Sequence, residues 1–167
     1  CWGSIEGNFQ KNLTDIRIAI AGDLHGSWSQ DDLDLLLELN PDGVLFVGDL
    51  SDGDLRIVRS INKISIPTSV ILGNHDRGRD GSGDVLKAQL DLLGEKNCSW
   101  NLSKWALNEL SVVGARPCSG GGGFFLTTEV KSVFGEVSLD ESVFRIVSAA
   151  KSAPLDFPLL ILAHSGP

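Results

Sequence analysis

Short apolar runs alternate along this chain with stretches whose leucines and isoleucines recur every three or four residues, which predicts strands alternating with helices. Ile16 to Ala21 reads as a strand rich in β-branched residues. Ser29 is placed to cap a helix through Leu39, with Asp31 and Asp32 in its first turn and a face of Leu33, Leu36 and Leu37 turned inward. Asn40-Pro41-Asp42-Gly43 stops that helix and turns the chain. Val44 to Val47 is apolar on both faces, as expected of a central parallel strand. Asp52 or Asp54 starts the next helix, in which Leu55, Val58 and Ile61, with Ile57, recur at helical spacing. Pro67 leads into a third strand, Thr68 to Leu72. Strand, helix, strand, helix, strand is the pattern of βαβ units.

Beyond the third strand the rhythm changes. Arg77 to Gly83 is polar and glycine-rich and reads as a loop, followed by a helix from Asp84 to Leu93 that Gly94 closes. Trp105 to Leu110 and Ser111 to Ala115 read as strand material, and Phe124 to Val130 as another strand after the run Ser119 to Gly123. The four glycines of that run predict a tight or mobile turn. Ser138 and Glu141 form a capping-box pair ahead of a helix through Ala150. Pro154 and Pro158 bracket a turn into a last strand, Leu159 to Ala163.

Length and charge narrow the class. A chain of 167 residues corresponds to one domain, 1–167, with enough sequence to bury a core unaided. It starts at Cys1 and stops at Pro167, so the expectation is a partial domain cut at both ends. No stretch has the apolar length of a membrane span, and the start lacks the pattern of a secretory signal. The expected setting is intracellular and soluble, in the cytoplasm or an organelle interior, with a removed targeting segment left open. Cys1, Cys98 and Cys118 are odd in number and far apart, which favours free thiols over a disulfide framework or structural zinc. A formal charge of -8 argues against wrapping a long nucleic acid.

Four strand ends carry metal-ligand side chains: Asp23 and His25 in Gly22 to Gly26, Asp49 in Gly48 to Leu50, Asn74 with His75 and Asp76 in Gly73 to Asp76, and His164 in Ala163 to Pro167. Open α/β sheets gather their chemistry at the carboxyl ends of their strands, so these segments can meet. Asp23 and His25 stand two residues apart and point to one side of an extended segment, where they can grip one ion. Asp49 can place one oxygen on each of two ions, the arrangement that holds paired metals about 3.5–4 Å apart. Asn74 and His164 suit the second ion. This mixed donor set favours manganese, zinc or iron over calcium.

These residues resemble a calcineurin-like metallophosphoesterase, whose motifs run Asp-x-His, Gly-Asp, Gly-Asn-His-(Asp/Glu), an isolated His and Gly-His-x-His. The first three match at Asp23 and His25, at Gly48 and Asp49, and at Gly73 to Asp76; the isolated His corresponds to His164. The intervals of 26 residues from Asp23 to Asp49 and 25 from Asp49 to Asn74 suit one βα unit each. The resemblance implies a four-layer α/β-β/α sandwich with mixed, largely parallel sheets. It also implies that Asp23, His25 and Asp49 hold one metal and Asp49, Asn74 and His164 the other. His75 would be the proton donor to the leaving alkoxide or the stabiliser of the phosphoryl charge, with Asp76 orienting its ring. A hydroxide held between the ions would attack phosphorus in line. No Gly-His-x-His occurs here, so each metal lacks one histidine of the family set, and this chain alone is expected to have little activity.

Each element also has a plainer reading. A lone Gly-Asp after a strand is usually a turn, and His164 alone could be a hydrogen-bonded core histidine. Arg77, Arg79 and Arg116 suit a substrate phosphate, although solvated surface arginines are commoner. Trp28 either roofs the site or packs in the core. The leading function is metal-dependent hydrolysis of a phosphate ester. The alternatives are a non-catalytic metal-binding or interaction scaffold of the same fold, and a nucleotide phosphodiesterase.

Overall fold

The computed structural model describes residues 16–105, 109–121 and 123–165. Three strands, β1 (Ile18–Ala21), β2 (Gly43–Val47) and β3 (Thr68–Ile71), form a parallel sheet in that order. The register pairs Ala21 with Phe46 and Val47 with Ile71, so the three strands end side by side. Parallel neighbours need crossovers, here α1 (Gln30–Glu38) and α2 (Leu55–Asn62); α3 (Asp84–Leu93) follows β3. Ser29 accepts from the Asp32 amide while the Asp32 carboxylate accepts from the Ser29 amide, a complete capping box for α1. Asp54 caps α2 through the Arg56 amide at 2.8 Å.

A second sheet has the order β4 (Leu102–Trp105), β5 (Leu110–Gly114), β6 (Leu159–Leu162). β4 runs antiparallel to β5, and β6 runs parallel to it, with α4 (Thr128–Phe134) and α5 (Leu139–Lys151) in the connection. The result is a mixed α/β architecture of one parallel and one mixed sheet.

Each face of the first sheet buries a different core. Val44, Phe46, Val70 and Leu72 pack against Leu33, Leu36, Ile57, Val58, Ile61, Leu86 and Leu93 of the helices. Leu45 and Ile71 point the other way, against Trp105, Leu110, Val112 and Leu162 of the second sheet. Trp105 donates to the Ser69 hydroxyl at 2.9 Å, so this inter-sheet layer satisfies its own buried polar atom. Strands buried on both sides read as continuous apolar runs, which is why β2 and β3 were legible.

Four expectations need correction. Leu37 is 40% exposed, and only Leu33 and Leu36 of α1 are buried. Trp105 ends β4 and Leu110 begins β5, and the two face each other across an antiparallel pair instead of lying in one strand; residues 106–108 lie outside the described set. Phe124 to Val130 is not a strand: Thr127 caps α4, and Val130 sits one turn inside it, buried. The β-prone Phe-Phe-Leu-Thr-Thr composition lost to a capping threonine and to burial of Val130 with α3, a tertiary override of local propensity. At α5, Ser138 caps as expected, but the Glu141 carboxylate pairs with Arg145. Cys1 also lies outside the described residues.

Candidate metal centre

The segment after β1 runs beside the segment after β2, because Asp23, His25 and Gly26 donate their amides to the carbonyls of Gly48, Asp49 and Leu50 at 2.9, 2.9 and 3.0 Å. The segment after β3 joins through Asp49 Oδ1, which accepts from the His75 amide at 2.8 Å. Two glycines permit this closeness. A Cβ on Gly73 would lie 2.2 Å from Asp49 Oδ1, and one on Gly48 would lie 2.6 Å from the His164 ring. Asp23, His25, Asp49 and Asp52 all have φ between 46° and 52°, a left-handed conformation uncommon for side-chain-bearing residues and concentrated at functional sites.

Asp49 is buried and central. Its Oδ2 lies 3.3 Å from His164 Nε2 and 4.0 Å from His25 Nε2. Two ligand groups share it: His25, Asp49 and His75, and Asp23, Asp49 and His164, each with its ligand atoms within 4.8 Å of one another. Asn74 Oδ1 is 3.3 Å from His164 Nε2. Gly120, in the glycine-rich run, packs on Asn74, where an added Cβ would meet its Cγ at 3.1 Å.

The donor set fits a cation. His164 Nδ1 lies 2.7 Å from the Val47 carbonyl, which can only accept, so the ring proton sits on Nδ1. Nε2 then faces Asp49 Oδ2 and Asn74 Oδ1, each 3.3 Å away. A ring nitrogen and two oxygens converging in this way form a donor set that a metal ion can take.

On the other side stands a carboxylate that sequence reading missed. Asp52 Oδ1 is 3.1 Å from His25 Nδ1 and 3.5 Å from His75 Nδ1, and the two rings meet edge to face at 4.7 Å. The hydrogen bond that His25 donates to Asp52 raises its pKa above the ordinary value; burial opposes this, and the charges of Asp52, Asp49 and Asp23 add to it. The available signal was spacing: Asp52 follows Asp49 by three residues in a turn, and was read only as a helix start.

The remaining expected residues are placed as follows. Asp76 is fully buried, and its oxygens accept from the amides of Leu50, Ser51 and Gly73, with the Ser51 hydroxyl oxygen 3.1 Å away. Asp52, not Asp76, is the carboxylate beside the His75 ring. Trp28 packs edge-on against Phe46 and donates to Ser60, on the helix side of the sheet. Arg77 lies 3.9 Å from Glu129, and Arg116 donates to the carbonyls of Phe125 and Gly123. Cys98 and Cys118 are buried free thiols; burial pushes Cys98 up to about 12 and raises Cys118 as well, the charge of Asp76 adding to the second. Among the described residues no helix is long and apolar enough to cross a membrane.

The sequence profile of the calcineurin-like phosphoesterase family matches residues 16–162, and the chain belongs to that family. His164 lies just past the matched stretch, so its place in the centre rests on the contacts above. No curated protein and no solved structure matches the chain. Membership carries metal-dependent chemistry on phosphate esters as the general activity of the family, and the clustered Asp and His side chains are suited to divalent ions.

Proposed function

We propose that this chain provides a two-ion centre for hydrolysis of a phosphate ester, with Asp49 shared between the ions. The convergence on Asp49 carries this reading: His25 and His164 approach the same oxygen from different strands, and two three-residue ligand groups have Asp49 in common. Following the family motifs, Asp23, His25 and Asp49 would hold one ion and Asp49, Asn74 and His164 the other, although the ligand atoms within 4.8 Å of one another set His75 with His25 and Asp23 with His164; manganese, zinc and iron suit the mixed donors. Bound there, the ions supply positive charge for the phosphoryl oxygens and lower the pKa of water.

The protein's own groups do the rest. Asp52 fixes the orientation of the His25 and His75 rings from their Nδ1 sides. His75, 38% exposed on its side chain, is open to substrate and delivers a proton to the leaving alkoxide. Gly73 and Gly48 keep the floor of the site free of side chains, so Asp49 and His164 stay within reach of one another. In this reading the two sheets, with helices outside them, belong to a four-layer α/β-β/α sandwich and to one domain.

Calorimetric titration of the metal-free chain with manganese tests the shared ligand. Asp49→Asn weakens both binding events together. Retention of one event at wild-type affinity rules out the bridge.

A further inference from the structure

The acidic residue that ends Gly-Asn-His-Asp is turned away from the histidine it follows. Asp76 Oδ1 accepts from the Ser51 amide at 2.7 Å and the Leu50 amide at 2.9 Å, and Oδ2 accepts from the Gly73 amide at 2.9 Å. The Ser51 hydroxyl adds a contact at 3.1 Å. Three backbone N–H groups from two different strand ends therefore point at one carboxylate that water does not reach.

Those amides sit between the functional carboxylates. Leu50 and Ser51 are the two residues separating Asp49 from Asp52, and both of these flank the clamp with left-handed backbones that rarely persist unaided. Asp49 returns the contact by accepting from the His75 amide. Each strand end thus lends its aspartate to the backbone of the other. Gln89 of α3 closes the far side, accepting from the Ser51 hydroxyl at 2.6 Å and donating to the Asp76 carbonyl.

We propose that Asp76 is a positioning residue that fixes Asp49 and Asp52 by clamping the backbone between them, and that it acts on the metal ligands independently of His75. A buried carboxylate answering several amides holds them far more firmly than a neutral group, because each bond is charge-assisted and none competes with water. The inference rests on the two-ion reading only for its effect on metal. The clamp itself is read without metal.

Two measurements test it. In the metal-free wild-type protein, NMR should show through-hydrogen-bond couplings from the Leu50, Ser51 and Gly73 amides to the Asp76 carboxylate carbon. Absence of these couplings overturns the clamp, and this measurement does not depend on any variant folding. Asp76→Asn removes the charge at nearly constant shape. Manganese affinity should fall about 10–100-fold, as it does when groups supporting metal ligands are lost, with the Leu50 and Ser51 amides exchanging faster. The loss should be equally large in a His75→Ala background. A loss that disappears in that background shows Asp76 working through His75 and overturns the proposal, as does unchanged affinity in folded Asp76→Asn. A wild-type chain that binds no manganese overturns the two-ion reading, while the couplings still decide the clamp.

Discussion

Asp49 serves three neighbours at once: it accepts from the His75 amide and faces the rings of His25 and His164. Its burial makes those oxygens costly to leave unpaired, so the surroundings have to answer them. His75 and Asn74, adjacent in sequence, separate in role. His75→Ala in the full-length protein should reduce turnover of a phosphate ester with a poor leaving group by about 10²–10⁴-fold, and less for a good one, with metal content unchanged. Asn74→Ala should lower metal occupancy and activity together. Because His25, Asp49 and His75 also form one of the two ligand groups, loss of metal in His75→Ala would make His75 a ligand instead of the proton donor. Metal analysis beside the rate assay separates the two.

The elements show where sequence was enough and where it was not. Asp49 and Asn74 were legible as strand-end residues because β2 and β3 are continuous apolar runs buried on both faces, and Asp23, His25 and His164 because they too follow apolar runs, although β1 and β6 leave Ile20 and Ile161 exposed. Asp52 was not, since its value lies in a backbone turn that brings it back over His25 and His75, and no periodicity encodes that. The segment Phe124 to Val130 failed for another reason: its composition favours a strand, yet capping by Thr127 and contact with the helical core decide its state. In α1 the face was read one residue too wide. Leu36→Ala should therefore cost about 2–5 kcal/mol by leaving a cavity, while Leu37→Lys should be close to neutral in chemical denaturation.

The start of α3 supplies a pH prediction. Asp80 accepts from the Ser82 hydroxyl and from the amides of Gly83, Asp84 and Val85, and its pKa is lowered, first by the serine hydroxyl and then by the amides of Val85, Gly83 and Asp80 itself, with burial opposing. A lowered folded pKa means its stabilisation is fully present above the unfolded carboxylate value of about 3.9 and is lost as pH falls through the lower folded value. Thermal melts of wild type and Asp80→Ala should differ at neutral pH and converge in that acid window. A gap of constant size down to pH 3 would show that the charge of Asp80 plays no part.

At the scale of the whole molecule, the metal centre is a joint among strands. Asp23, Asp49 and His164 come from strand ends in both sheets, and their ligand atoms lie within 4.8 Å of one another. An ion that binds only the folded state should stabilise it by mass action, by about 2.7 kcal/mol at one hundred times its dissociation constant. The melting temperature should rise with manganese concentration, and Asp49→Asn should remove most of that rise.

His164 reaches the Val47 carbonyl across 117 residues and Asn74 across 90. On the ribosome, Asp23, Asp49 and Asn74 leave the exit tunnel well before the histidine that faces two of them. Until β6 docks beside β5, the earlier side chains can make only a looser, partial grip on any ion. Vectorial synthesis therefore gives the centre an order of assembly, with the second sheet following the first and its histidine joining ligands already in place. Closure over so long a span carries a modest extra entropic cost, since loop entropy grows only with the logarithm of length.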